Sequence, residues 1–221
     1  MSPERQYNAP FPIKEWFSWI QAFFAGREQE FYEQKPEVYE RIIDVIVRRY
    51  ELAKKIGALI DNLFPDRSFQ FILDTACGTG IITNELEKRT SKNGRIMGMD
   101  LSQAAIDFAK KSKNQRIEWG QSDFHQLPID TETVDFYHMF GAYRFAEPQK
   151  FWAEVNRVLA PGGIGMVSRS YPDMSRKDLQ KARGICNELG LQTFVYRLKA
   201  KGLINRLTTR EALIFCKPKN E

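Results

Sequence analysis

Two hydrophobic rhythms divide the chain. Up to Phe64 the apolar residues recur at steps near three, four and seven: Trp16, Ile20, Phe23, Phe24 and Phe31, then Val38, Ile42, Val45, Ile46, Leu52, Ile56, Leu59 and Leu63. Such steps gather each set on one face of a helix. Pro36 stands where its fixed φ can open the second run. From Phe69 the rhythm changes. Apolar runs at 69–74, 95–100, 116–120, 134–140, 164–169, 191–199 and 211–217 predict strands. Amphipathic stretches near 80–90, 102–112, 148–159 and 175–189 predict helices between them. This alternation predicts an α/β fold, a doubly wound, mostly parallel seven-stranded sheet with helices on both faces. The last two strands lack a helix between them, with a short connection at Lys201–Asn205 in its place, so the last strand is expected to return antiparallel. The break at Phe64-Pro65-Asp66-Arg67 predicts an N-terminal helical extension over 1–65 and an α/β domain over 66–221.

Composition narrows the class. A chain of 221 residues buries about 70% of its unfolded surface and needs neither disulfides nor metal to hold a core. Cys77, Cys186 and Cys216 are widely spaced, no CxxC pair occurs and there are two histidines, so no metal site is expected. The thiol pattern fits a reducing, cytoplasm-like compartment. The first ten residues hold no apolar core of a signal peptide, and no apolar run approaches the roughly 18 residues of a membrane span. The formal charge of +5 is mild, and the densest basic cluster, Lys110 to Arg116, reads as a solvated helix end. Nucleic-acid binding is not demanded. Nothing in the pattern fixes an oligomeric state.

The chemistry concentrates at Phe71-Ile-Leu-Asp-Thr-Ala-Cys-Gly-Thr-Gly80, where an apolar strand runs into a small-residue turn and a helix opens. Gly78 and Gly80 let backbone approach a ligand, and the following helix points its N–H groups at it. Asp74 ends this strand and Asp100 ends the next, where a carboxylate can accept both ribose hydroxyls of a nucleoside. A tight turn with a capping Asp is the bland alternative. A dinucleotide site would want GxGxxG, with glycine at 76, and no acid beside its pyrophosphate. Asp74 repels phosphate and suits a cationic amine. The expected ligand is thus a nucleoside with a positive tail, which describes S-adenosylmethionine.

Over about 66–217 the chain resembles the class I S-adenosylmethionine-dependent methyltransferases, in a small-molecule, methyltransferase type 11-like form. Asp74–Gly80 resembles the first motif, with Ala76 in place of the usual glycine. Gly98-Met-Asp100-Leu-Ser resembles the acidic second motif. Gln121–Pro128 resembles the adenine segment, and Phe151–Gly163 the helix and turn before strand five. The resemblance implies that Asp74, Ala76, Gly78 and Gly80 line the methionine and ribose, that Asp100 holds the ribose and Leu101 lies on the adenine. It also implies that Asp123 accepts from the adenine amine and that Phe124 covers the ring. Each has a bland counterpart: a capping Asp123, a core Phe124 or Leu101.

Methyl transfer needs the acceptor held in line with the methyl and water excluded, and a base only where a proton must leave. His138 and Met139 fall at the carboxyl end of strand four, where ligands sit in such sheets, so Met139 is a cofactor candidate and His138 the base candidate, against a core-histidine alternative. Tyr143 is a second catalytic candidate. Tyr143 and Arg144 after strand four, with Arg169 and Tyr171 after strand five, are candidates for acceptor contact. So are Trp16, Trp19 and Phe23, if the aromatic extension is a lid rather than simple packing or a membrane-surface anchor. The expected activity is methylation of a small, apolar or aromatic molecule. A macromolecular (RNA or protein) methyltransferase and a cofactor-retaining cyclase, pericyclase or partner protein remain the alternatives.

Overall fold

The computed structural model describes residues 13–47, 49–112, 114–169, 175–198 and 210–219. Seven strands form one sheet: β1 (Phe69–Thr75), β2 (Thr90–Asp100), β3 (Ile117–Gln121), β4 (Val134–Phe140), β5 (Leu159–Arg169), β6 (Gln192–Leu198) and β7 (Arg210–Cys216). Their order is β3-β2-β1-β4-β5-β7-β6. All neighbours are parallel except β7, which runs antiparallel to both β5 and β6. The chain order reverses between β1 and β4, the point at which such sheets open a crevice at their carboxyl ends.

The strands are apolar on both sides because helices cover both. On one face Leu73, Tyr137, Met139 and Val167 pack with Phe151 and Trp152 of α7 (Pro148–Val158) and Ala182 and Cys186 of α8 (Arg176–Glu188). On the other, Ile72, Phe136, Phe140 and Met166 meet α4 (Arg49–Leu63) and α5 (Ile81–Leu86). A further helix, α6 (Gln103–Ala109), packs along β2 and β3.

The apolar run after Pro36 is two helices, α3 (Pro36–Val47) and α4, serving different cores. Leu52, Ile56 and Ile60 of α4 are buried against the sheet. Ile42 of α3 instead joins Ala22 of α1 (Ile13–Phe24) and Phe31 of α2 (Glu28–Gln34) in a small separate cluster. The physical break therefore falls between α3 and α4. Strands β2 and β5 begin earlier than their apolar runs suggest, because their polar and glycine-rich starts pair through bulged registers.

Candidate active site

The loop after β1 is locally determined. Cys77 donates its amide to the Met99 carbonyl at 3.0 Å, which ties the turn to β2. Ala76 takes φ 50°, the left-handed region where glycine is more usual, at a cost of about 1 kcal/mol or more for a residue with a Cβ. Gly80 caps α5 at φ 83°. A side chain there, or at Gly98 on β2, would collide with the Trp119 indole. Close packing, as well as backbone conformation, thus demands these two glycines.

Carboxylates sit on three strand tips or the loops that follow them. Asp100 accepts from the Gly78 amide at 2.8 Å and the Ser102 amide at 3.0 Å. It therefore bridges the two loops it separates in sequence. Asp74, 1% exposed, accepts from Thr83 Oγ1 at 2.5 Å and His138 Nδ1 at 2.7 Å. Asp123 accepts from the His125 amide at 2.9 Å and from His125 Nδ1 at 2.8 Å. The Glu147 amide donates to His125 Nε2 at 2.9 Å, so the ring proton is on Nδ1. Burial holds the Cys77 thiol well above its ordinary pKa, and the Asp100 and Asp74 carboxylates push it further. Cys77 is a packed thiol and not a nucleophile.

A cavity of about 380 Å³ opens over these tips. One wall holds Ala76, Gly78, Asp100, Leu101, Ser102, Asp123, Phe124 and His125; the other holds Phe140, Gly141, Ala142, Arg144 and Phe145. Gln29, Tyr32, Glu33 and Tyr39 from α2 and α3 also line it. Glu33 anchors this roof by accepting from Ser102 Oγ at 3.0 Å, and the Tyr32 and Tyr39 rings meet edge to face. Leu101 is half exposed on the cavity side. The Arg144 guanidinium lies 4.5 Å over the Phe145 ring. A recess of about 20 Å³ adjoins the cavity, sharing Ala76 and Phe140 with it and lined also by Asp74, Cys77, Ile81 and Ile82.

Several expected residues stand elsewhere. Tyr143 is 4% exposed, its phenol oxygen accepting the Trp152 indole N–H at 2.9 Å, so it belongs to the core and neither base nor acceptor contact falls to it. Met139 points into the same core, since alternation along β4 sends it away from the face that carries His138. His138 is fully buried and off the cavity wall. A general base must reach the proton it removes, so His138 is withdrawn from that role. Gly80 lies under Trp119 and not on the wall. Trp16 and Trp19 pack on the small cluster of α1–α3. The side chains of Phe23 and Arg169, and Tyr171 altogether, lie outside the described residues. Arg116, from the basic cluster, donates to Glu87 at 2.5 Å and to the Ser91 carbonyl.

Sequence reasoning missed Gln29, Glu33, Ser102 and His125. It also missed a clamp behind the adenine-type segment. Glu154 of α7 accepts from the Leu127 amide at 2.6 Å and pairs with Arg157, which donates to the carbonyls of Leu127 and Ile129. An i, i+3 Glu–Arg pair on a helix is too common a pattern to have signalled this.

The donor set can be tested against a ligand. Four carboxylates (Glu33, Asp74, Asp100 and Asp123), an apolar shelf at Leu101 and Phe124, and a single arginine suit hydroxyls, an amine and a cation better than a phosphate chain. The residues fit S-adenosylmethionine. Among the described residues no group of His, Cys, Asp or Glu could hold a metal, and no helix is long and apolar enough to cross a membrane.

Comparison with known proteins agrees with this geometry. Residues 72–163 match the family model of a methyltransferase domain. The ubiquinone/menaquinone biosynthesis C-methyltransferase of Roseobacter denitrificans is 32% identical over 165 residues, 72% of this chain and 64% of that protein. The demethylmenaquinone methyltransferase of Lactobacillus johnsonii is 33% identical over 109 residues, 46% of this chain and 45% of that protein. The chain thus spans about half the length of many curated relatives it matches. A solved structure from Methanococcus maripaludis, provisionally designated an S-adenosyl-L-methionine-dependent methyltransferase, superposes with a TM-score of 0.68 at 17% identity, covering 86% of this chain and 94% of its own. Residues 72–163 thus match a methyltransferase domain, and the chain as a whole shares the fold of that solved structure.

Proposed function

We propose that this chain transfers the methyl group of S-adenosylmethionine to a small, apolar or aromatic organic acceptor. One observation carries the reading: a single cavity joins carboxylate-bearing strand tips to an aromatic roof. The strand-tip wall is assigned to the cofactor. Asp100 takes the ribose hydroxyls, Leu101 and Phe124 flank the adenine, Asp123 accepts from its amine, and Asp74 faces the amino-acid end through the recess it shares with Ala76. The wall of Tyr32, Tyr39, Phe140, Arg144 and Phe145 is assigned to the acceptor.

The sulfonium supplies an activated methyl group. The protein's own work is to hold the acceptor in line and keep water out, through proximity and the aromatic roof. Neither histidine serves as a free base at the cavity: His138 is off the wall, and both His125 nitrogens are engaged. Such a site favours an acceptor already nucleophilic, such as an activated ring carbon or a phenolate. The printed activities of the quinone-biosynthetic relatives support a ring acceptor. Helices α1–α3, over residues 13–47, act as a substrate roof, and the α/β domain with α4 binds the cofactor. The free thiols fit a reducing, cytoplasmic setting.

The test is incubation with S-adenosylmethionine and a panel of quinols and phenols, read by mass spectrometry. The reading expects a product one methyl heavier and one S-adenosylhomocysteine per product. An acceptor consumed to an isomer of equal mass, with the cofactor intact, would replace methyl transfer by a cyclase-type activity.

A further inference from the structure

His138 and Asp74 face each other across the seam between β1 and β4, as register partners where the strand order reverses. The carboxylate accepts two hydrogen bonds, from the Thr83 hydroxyl and from His138 Nδ1. Among the described residues neither lysine nor arginine pairs with it. The ring is fully buried, and its Nε2 has no partner. Because a carboxylate only accepts, Nδ1 carries the proton. A protonated Nε2 would leave a buried cationic N–H unsatisfied, which is far costlier than an idle lone pair. The neutral Nδ1–H form follows. Asp74 is therefore a buried carboxylate solvated by two neutral donors, on the wall of a recess with room for about one water-sized group.

We infer that His138 is a positioning residue for cofactor binding: its Nδ1–H fixes the Asp74 carboxylate, uncancelled by any fixed cation, so that it receives the ammonium of the cofactor's amino-acid end. The inference rests on the assignment of Asp74 to that end. It explains why β4 carries a polar residue amid Phe136, Tyr137, Met139 and Phe140. It also explains why a histidine beside the donor site is out of reach of the acceptor. Without the ring, Thr83 alone holds one oxygen, and the other turns toward apolar surroundings.

Two ligands separate positioning from mere packing. S-adenosylhomocysteine has the amino-acid end. 5′-Methylthioadenosine keeps the adenosine and the sulfur and lacks that end. In calorimetric titrations of the full chain, His138→Leu should weaken S-adenosylhomocysteine about tenfold or more and leave methylthioadenosine within twofold. His138→Asn, whose amide N–H falls near the Nδ1 position, should restore most of the loss; His138→Gln, whose amide reaches past it, should not. Equal losses for both ligands, or none, would overturn the positioning role. A wild-type chain that binds neither ligand would instead sink the cofactor assignment beneath it. Should the variants fail to fold, the wild-type ring decides: its nitrogen NMR shifts must report a neutral Nδ1–H imidazole, and an Nε2–H tautomer contradicts the inference.

Discussion

The two walls of the cavity are built on different principles. The strand-tip wall hangs on backbone: Asp100 holds two amides, the Cys77 amide reaches Met99, and the Glu154–Arg157 pair grips Leu127 and Ile129 from behind. The roof hangs on side chains, with a small cluster of Ala22, Phe31 and Ile42 and the Glu33–Ser102 hydrogen bond. A wall fixed by main chain binds one invariant ligand geometry. A roof of aromatic side chains can be reshaped around an acceptor without disturbing the sheet.

The sharpest way to break this contrast is to remove the roof. Deleting residues 1–47 should lower turnover by about a hundredfold or more, because the acceptor loses its positioning, while S-adenosylhomocysteine still binds. Extending the deletion through Leu63 should unfold the chain. It strips Leu52, Ile56 and Ile60 from the sheet; losing each such side chain costs about 2–5 kcal/mol against a total stability of about 5–15 kcal/mol. Circular dichroism and cofactor titration of the two truncations check both outcomes. A roofless chain of normal activity would make α1–α3 dispensable.

Asp100→Ala comes next. It should weaken S-adenosylhomocysteine by about 10–100-fold through lost charge-assisted bonds, with the fold retained. Unchanged affinity in calorimetry would remove Asp100 from the ribose role.

The Glu154 clamp sharpens the contrast with a smaller effect. Glu154→Gln should cost about 1–3 kcal/mol and soften cofactor binding several-fold. The Arg157 hydrogen bonds hold the Glu154 carboxyl below its ordinary pKa. Its stabilisation is therefore fully present above the unfolded value of about 4.3, and is lost as pH falls through the lower folded value. Melting curves of wild type and variant should converge in that acid range and separate at neutral pH. A gap that stays constant with pH would mean the carboxylate's charge contributes nothing there.

What the sequence disclosed follows the same division. Strand, turn and helix at Asp74–Gly80 are set by neighbours in the chain, so the loop and its acids were readable, as was the antiparallel last strand. The clamp, the His125 tautomer and the roof depend on residues far apart in sequence. Periodicity put 38–63 on one apolar face, but it does not say which core a face serves. Ile42 went to the roof and Leu52 to the sheet. Tyr143 and Met139 were misread for a related reason. Their position after or near a strand tip was visible, while the direction of their side chains was set by Trp152 and the alternation of β4.

The central claim is that the strand-tip wall is an S-adenosyl nucleoside site. Titration of the intact chain with S-adenosylhomocysteine and, separately, with NAD tests it most directly. S-adenosylhomocysteine should bind one per chain and, at a hundred times its dissociation constant, stabilise the fold by about 2.7 kcal/mol, while NAD gives no heat and no shift. Binding of NAD with no response to S-adenosylhomocysteine would contradict the account.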